Sequence, residues 1–140
     1  MFPEGQEILV VIDDAERRER VARIVADEGF AVTSAAEGLA ALRAVGTHHY
    51  ALVVAAPQLP GSLDGATTVR QARTRQPWLK TLYIVDANPL QHRGNPDIDD
   101  VITAPFERHE LIGCIFELLQ RSGIGTADLA CRARTELRAS

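Results

Sequence analysis

The feature that most limits the possible folds is a short apolar run, Ala51–Ala56, which ends abruptly in a loop containing proline and glycine. A second apolar run, Ile8–Asp14, ends on paired carboxylates. Both runs are continuous rather than alternating, which is typical of strands that helices cover on both faces. The chain is therefore predicted to contain buried parallel strands whose carboxyl ends lead into loops.

Helical periodicity separates five predicted strands. The strands are Ile8–Asp14, Phe30–Ser34, Ala51–Ala56, Leu79–Val85 and Val101–Thr103. The strong helices are Ala15–Glu28, Glu37–Val45, Gly65–Gln76 and Phe106–Arg121. Strands that alternate with helices favour an α/β fold with a doubly wound parallel sheet. Asp14 is expected to cap the first helix and Gly29 to end it.

Composition excludes several classes of protein. The 140 residues are 46% hydrophobic with a formal net charge of -4, which fits one soluble domain and argues against direct nucleic-acid binding. No apolar run approaches the roughly 20 residues of a membrane span, so no membrane contact is expected. Met1–Gly5 is too short and polar for a signal peptide, and Cys114 and Cys131 lie far apart. A cytoplasmic protein with reduced thiols is the expectation.

Three motifs in order resemble the receiver domain of bacterial two-component response regulators. They are Asp13-Asp14 after the first strand, L-P-G…D-G after the central strand, and A-P-F at Ala104–Phe106. The resemblance runs from about Glu7 to Arg121. It implies a flavodoxin- or CheY-like strand order of 2-1-3-4-5, in a domain spanning residues 5–121. Residues 122–140 are predicted to form a tail with an extra C-terminal helix.

The resemblance also implies that the phosphorylation chemistry is missing. Ala56 stands at the phosphoacceptor position, and a methyl group cannot attack a phosphoryl donor. Asp86 stands where the family has a threonine or serine, and Ala104 replaces the lysine that pairs with the phosphate. No catalytic residue is therefore predicted, and the chain is interpreted as a degenerate receiver, or pseudo-receiver.

Two interpretations of the remaining acidic pocket stay open. In one, Asp13, Asp14 and Asp86 form a weak rebuilt metal site for a cation such as Mg²⁺, because hard cations prefer oxygen ligands. In the other, no cofactor binds, the first two aspartates are helix-capping remnants, and Asp86 points to solvent or pairs with Arg93. Asp64 is expected to open the third helix, away from the crevice.

Two surfaces are candidates for protein contacts. Asn88–Asp100 contains two prolines and a glycine where the family has its fourth helix, so a loop or a single helical turn is predicted. Val101 occupies the family's aromatic switch position. The last helix has an apolar arc of about 160°, wider than packing on a sheet requires. This arc predicts either a partner or homodimer seam or a deeply buried helix; its residues are Leu111, Ile112, Ile115, Phe116, Leu118 and Leu119.

The preferred functional hypothesis is a phosphorylation-independent signalling module that binds a histidine kinase, another response regulator or a second copy of itself. An alternative is a cation or small-ligand sensor that uses the crevice around Asp13, Asp14 and Asp86. An enzyme is the least favoured class, since the sequence has no catalytic dyad, Walker loop or nucleophile elbow.

Overall fold

A computed structural model describes residues 6–87, 90–93 and 95–120 of the chain. The strands are β1 (Glu7–Val11), β2 (Ala31–Ala35), β3 (Leu52–Ala55), β4 (Lys80–Val85) and β5 (Asp100–Thr103). The helices are α1 (Ala15–Asp27), α2 (Gly38–Val45), α3 (Gly65–Arg75), α4 (Leu90–Arg93) and α5 (Arg108–Gln120). The predicted α/β class is confirmed, and the predicted ends differ from the observed ones by a few residues at most.

The five strands form one parallel sheet in the order β2-β1-β3-β4-β5. β1 lies between β2 and β3, so that Ile8 pairs with Val32 on one side and with Leu52 on the other. The order that the resemblance implied is therefore confirmed. In an open sheet of this kind, ligands bind outside the carboxyl ends of the strands, where the winding direction reverses.

Each strand sends alternate side chains to two separate hydrophobic layers. Ile8 and Val10 of β1 belong to the layer that includes α1 and α5, whereas Leu9 and Val11 belong to the layer that includes α2 and α3. All four side chains are buried. Burial on both faces explains why the strand sequences are continuously apolar. Each such aliphatic side chain contributes about 1.5–3 kcal/mol to stability.

Local contacts fix the loops at the carboxyl edge of the sheet. The carboxylates of Asp14 and Asp64 accept hydrogen bonds from the first turns of α1 and α3, which confirms both predicted N-caps. Gly29 has φ of 98°, a left-handed conformation that suits glycine at the end of α1. The N–H of Gly65 donates to the carbonyl of Pro57 at 2.8 Å, and a Cβ at this position would collide with the Ala56 carbonyl.

The fourth helix is a single turn of four residues, as predicted from its prolines and glycine. The predicted extra helix within residues 122–140 lies outside the described residues, as do both ends of the predicted 5–121 domain. Over the ranges that are described, every helix is too short or too polar to cross a bilayer.

Replacing Asp64 with alanine is expected to cost about 1 kcal/mol of unfolding free energy, the usual value of an N-cap. The N–H of Thr67 donates to this carboxylate at 2.8 Å and lowers the pKa of Asp64 below its ordinary value. A lowered pKa means that the contribution is complete above about pH 4 and is lost as the pH falls through the folded-state pKa. The difference in unfolding free energy between the unchanged chain and Asp64→Ala should therefore become smaller in acid. Urea denaturation of the two proteins at neutral and at acid pH measures this difference.

Asp64→Asn is the control for the capping prediction, because asparagine keeps the acceptor without the charge. It should retain most of the stability at neutral pH and show no narrowing in acid. Equal stability of the alanine variant and the unchanged chain at neutral pH would contradict the prediction.

Candidate functional site at the carboxyl ends of the strands

The loops after β1, β3 and β4 line one open cleft of about 450 Å³. Asp13 and Asp14 follow β1, Ala56 follows β3, and Asp86 follows β4. All four residues line this cleft, so the structure brings together the pocket residues that the sequence singled out. Asp64, as expected, is not among the residues that line it.

A neighbouring cleft of about 340 Å³ lies beside the loop after β5. Ala104 lines this second cleft, and the two clefts share Asp14, Arg17 and Asp86. The carboxyl ends of four strands therefore contribute to one continuous region. Arg17 lies at the junction of its two parts.

The role of Arg17 was not predicted. Arg17 belongs to the charged stretch Glu16–Arg20 at the start of α1, a composition typical of a solvent-facing surface. Its Nη2 donates to Asp86 Oδ1 at 2.8 Å, and only 29% of the side chain is exposed. Its position one turn after the capping Asp14 was the available signal, because the first turn of α1 faces the carboxyl edge of the sheet.

Arg17 also sets the electrostatics of the pocket. Three carboxylates without a lysine were expected to raise a pKa, attract a cation or turn a side chain away. Instead, the hydrogen bond and positive charge of Arg17 lower the pKa of Asp86 below its ordinary value. The Asp86 side chain is 78% exposed, so the ion pair contributes little to stability. The proposed partner Arg93 has a side chain outside the described part of the structure.

Two of the three carboxylates in the site predicted for Mg²⁺ have partners within the protein. Asp14 accepts the N–H of Arg17 in its capping role, and Asp86 binds the guanidinium of the same residue. Throughout the described ranges, no three histidine, cysteine, aspartate or glutamate side chains are placed to hold a metal ion. The weak site at Asp13, Asp14 and Asp86 stays a prediction, in which a cation would compete with Arg17 for Asp86.

The described lining of the larger cleft lacks hydroxyl, thiol and amine nucleophiles. It contains no serine, threonine, cysteine or lysine, and a methyl group stands at the end of β3. The groups that remain are carboxylates, amides, one guanidinium and the ring of His92. This set can bind a partner through charge and hydrogen bonds. Its carboxylates follow β1 and β4, whereas the position after β3, where the family has its acceptor, carries only a methyl group.

A buried aromatic contact joins this cleft to β5. His92 lines the cleft, and its ring meets the ring of Tyr83 edge-on at 5.3 Å. Burial raises the pKa of Tyr83 to about 12, with a further contribution from the carboxylates of Asp64 and Asp97. Tyr83 lies directly beside Val101 across the β4–β5 ladder. Val101 is itself buried, so its side chain offers little surface to a partner.

The predicted contact surface on α5 is mostly used by the chain's own core. The deepest residues of this helix are fully buried against the sheet, and Phe116 packs on Phe30 with 5.7 Å between ring centroids. The wide apolar arc therefore has an internal explanation, because α1 and the residue before β2 cover its edges. The buried residues of α5 are Leu111, Ile112, Cys114, Ile115, Leu118 and Leu119.

The family model of the response regulator receiver domain matches residues 8–116 of the chain. The chain belongs to this family. Its sheet order agrees with the match. The receiver match covers the sheet and most of α5, so it accounts for nearly all described residues.

Individual receiver proteins show the same relationship. The chain is 31% identical over 123 residues to the transcriptional regulatory protein TcrA of Mycobacterium tuberculosis, covering 86% of this chain and 48% of that protein. The chain thus spans about half the length of the curated relatives it matches.

Solved receiver structures agree with the fold. A response regulator receiver protein from Sinorhizobium medicae superposes with a TM-score of 0.77 at 26% identity, covering 84% of this chain and 97% of that one. The receiver domain of the sensor histidine kinase PA1611 from Pseudomonas aeruginosa, which holds a magnesium ion in its cleft, gives a TM-score of 0.74 at 25% identity. It covers 83% of this chain and 98% of that one.

Proposed function

We propose that this receiver domain is a phosphorylation-independent interaction module in a two-component signalling pathway. The observation that carries the proposal is Ala56, whose methyl group lines the cleft at the end of β3. A receiver needs a nucleophilic oxygen at this point to form an acyl phosphate, and alanine supplies none. Signalling by such a domain depends on which partner is bound rather than on a phosphoryl group.

Two further positions support the proposal. Ala104 supplies no cation where a phosphoryl group would need one, and the guanidinium of Arg17, which lines the same cleft, is bonded to Asp86. Asp86 itself offers a negative charge in place of a hydroxyl donor, which would repel a phosphoryl group. Among the residues that the structure describes, no three histidine, cysteine, aspartate or glutamate side chains are grouped to hold a metal ion, so the interaction module is preferred to the cation sensor.

The proposed partners are a histidine kinase, a conventional response regulator or a second copy of the chain. Each of these presents a folded protein surface, which suits the exposed helices of a receiver better than a small ligand does. Homodimerisation through α5 stays a prediction. Because its apolar side chains are largely buried, such a dimer would use the exposed polar side of the helix.

The test is exposure of the unchanged chain to small phosphodonors. We expect no added phosphoryl group by intact-mass measurement after incubation with acetyl phosphate and Mg²⁺. We also expect no change in the amide spectrum around Asp13, Asp14 and Asp86 after beryllofluoride is added. Modification of the unchanged chain, or beryllofluoride-dependent shifts at these residues, would overturn the proposal.

A further inference from the structure

The charge of the chain is distributed unevenly between its helices. The chain has a formal net charge of -4, yet neither α2 nor α3 contains an aspartate or a glutamate. The same two helices contain four arginines, and they lie side by side on one face of the sheet. This α2–α3 face, formed by the exposed residues of α2, α3 and the turn that ends in Trp78, is therefore locally basic. Its arginines are Arg43, Arg70, Arg73 and Arg75.

Arg43 and Arg75 have no carboxylate partner within the described ranges, whereas the charge of Arg70 helps to lower the pKa of Asp64. Arg73 is directed to the loop before β5, where it donates to Pro96 O at 3.1 Å and lies 4.0 Å from Asp99. Arg75 Nη1 donates to Leu42 O at 3.2 Å, which places its guanidinium over the end of α2, close to Arg43. Arg43, Arg70 and Arg75 are all exposed. Their positive charge is thus directed to solvent or to a partner.

Helix dipoles account for arginines in the last turn of a helix, but they do not account for exposed apolar neighbours. Leu39 and Trp78 are the most exposed large hydrophobic side chains of the described residues, at 48% and 50%. Leu39 lies one turn before Arg43 on the exposed side of α2. Trp78 follows the end of α3. Both exposed apolar side chains therefore border the basic α2–α3 face.

Trp78 is held in one orientation although half of it is exposed. Its Nε1 donates to the carbonyl of Tyr50 at 3.0 Å, and its ring stacks on His49 with 5.2 Å between centroids and 7° between planes. An aromatic side chain fixed in this way loses little conformational freedom when it packs against a partner. The indole is thus a preorganised apolar contact, three residues after Arg75 in the chain.

We propose that the α2–α3 face binds an acidic, amphipathic segment of a partner protein. Carboxylates of that segment meet Arg43, Arg70 and Arg75, and its apolar side chains pack on Leu39 and Trp78. A protein is favoured over nucleic acid because three exposed arginines on a chain of net charge -4 would attract a polyanion only weakly. Charge complementarity of this kind mainly sets association rate and specificity.

This inference rests on the proposed function only in assuming a protein partner. The α2–α3 face is separate from the cleft, whose lining includes no residue of α2 or α3. Failure of the phosphodonor test would leave binding at this face unaffected. Failure of peptide binding would leave the phosphodonor result unaffected. The two proposals can therefore be disproved separately.

The experiment is a fluorescence titration of the full chain with a synthetic amphipathic helical peptide, which carries glutamates on one face and leucines on the other. Trp78 is the only tryptophan in the chain, so its emission reports directly on this face. We expect a saturable change whose apparent Kd rises with salt, because exposed charges are screened. Arg43→Glu and Arg70→Glu should each weaken binding about three- to tenfold.

The matched control is Arg23→Glu, which reverses the charge of an exposed arginine on α1. It changes the net charge by the same amount as Arg43→Glu and Arg70→Glu. Its Kd for the peptide should stay within about twofold of that of the unchanged chain. Equal weakening by all three substitutions, or no binding of the acidic peptide, would overturn the proposal. Tighter binding of a single-stranded oligonucleotide, with the same dependence on Arg43 and Arg70, would instead assign the face to nucleic acid.

Discussion

A chain that carries Ala56→Asp and Ala104→Lys is expected to accept a phosphoryl group from acetyl phosphate, whereas the unchanged chain stays unmodified. The new carboxylate oxygen would attack phosphorus and acetate would leave, giving an acyl phosphate on residue 56. Both positions line the joined clefts at the carboxyl edge of the sheet, so both new side chains begin at the correct strand ends. The lysine would pair with the phosphoryl oxygens. Intact mass after incubation with Mg²⁺ and acetyl phosphate measures the gain.

The control is Ala56→Asn with Ala104→Lys, which matches the size of the new side chains but lacks the nucleophilic carboxylate. It should stay unmodified under the same conditions. If the folded variant with Ala56→Asp and Ala104→Lys also stays unphosphorylated, the loss of the reaction is not explained by residues 56 and 104 alone. The ion pair between Arg17 and Asp86 would then be the next group to alter, since it occupies the same region.

The fold could be predicted because its signals are local. Each buried strand is a continuous apolar run, and each helix start and end carries its own residue, such as Asp14, Asp64 or Gly29. The membership of the pocket could be predicted for the same reason, since parallel strands place their carboxyl ends at one edge. Ala56 and Ala104 line that edge as expected.

The chemistry between the pocket residues could not be predicted in the same way. The pairing of Arg17 with Asp86 joins positions 69 apart, and nothing in either local sequence selects one carboxylate over another. The wide apolar arc of α5 was ambiguous for a related reason. Phe116 contacts Phe30 because of where α5 packs on the sheet. The spacing of apolar residues along a helix does not specify that position.

Replacing Gln76 with alanine is expected to destabilise the chain by about 3 kcal/mol, because buried backbone groups would lose their partners. The side chain is buried just after α3, and its Oε1 accepts the N–H of Tyr50 at 2.8 Å. Its Nε2 donates to the carbonyls of Val45 and His48 at 3.0 and 2.7 Å. One amide thus connects the end of α3 to the end of α2 and the loop before β3. These partners lie 26 to 31 positions away, so no local pattern around Gln76 indicates this role.

The matched control is Gln71→Ala, an exposed glutamine on the same helix, which should change stability by less than about 0.5 kcal/mol. Gln76→Glu distinguishes the donor from the acceptor. A glutamate keeps the acceptor for the Tyr50 N–H but places a buried carboxylate against two carbonyl oxygens, which raises its folded-state pKa.

A raised carboxyl pKa has a defined consequence for pH dependence. The folded Gln76→Glu chain binds a proton more tightly than the unfolded chain, so this variant should gain stability relative to the unchanged chain as the pH falls from neutral toward about 4. The loss of stability in Gln76→Ala should not depend on pH, because alanine has no titratable group. Urea denaturation of the three variants across this range measures both effects. An equal loss of unfolding free energy in Gln76→Ala and Gln71→Ala would contradict the prediction. It would mean that water can hydrogen-bond the backbone groups that Gln76 contacts, and that apolar packing alone connects α2 to α3.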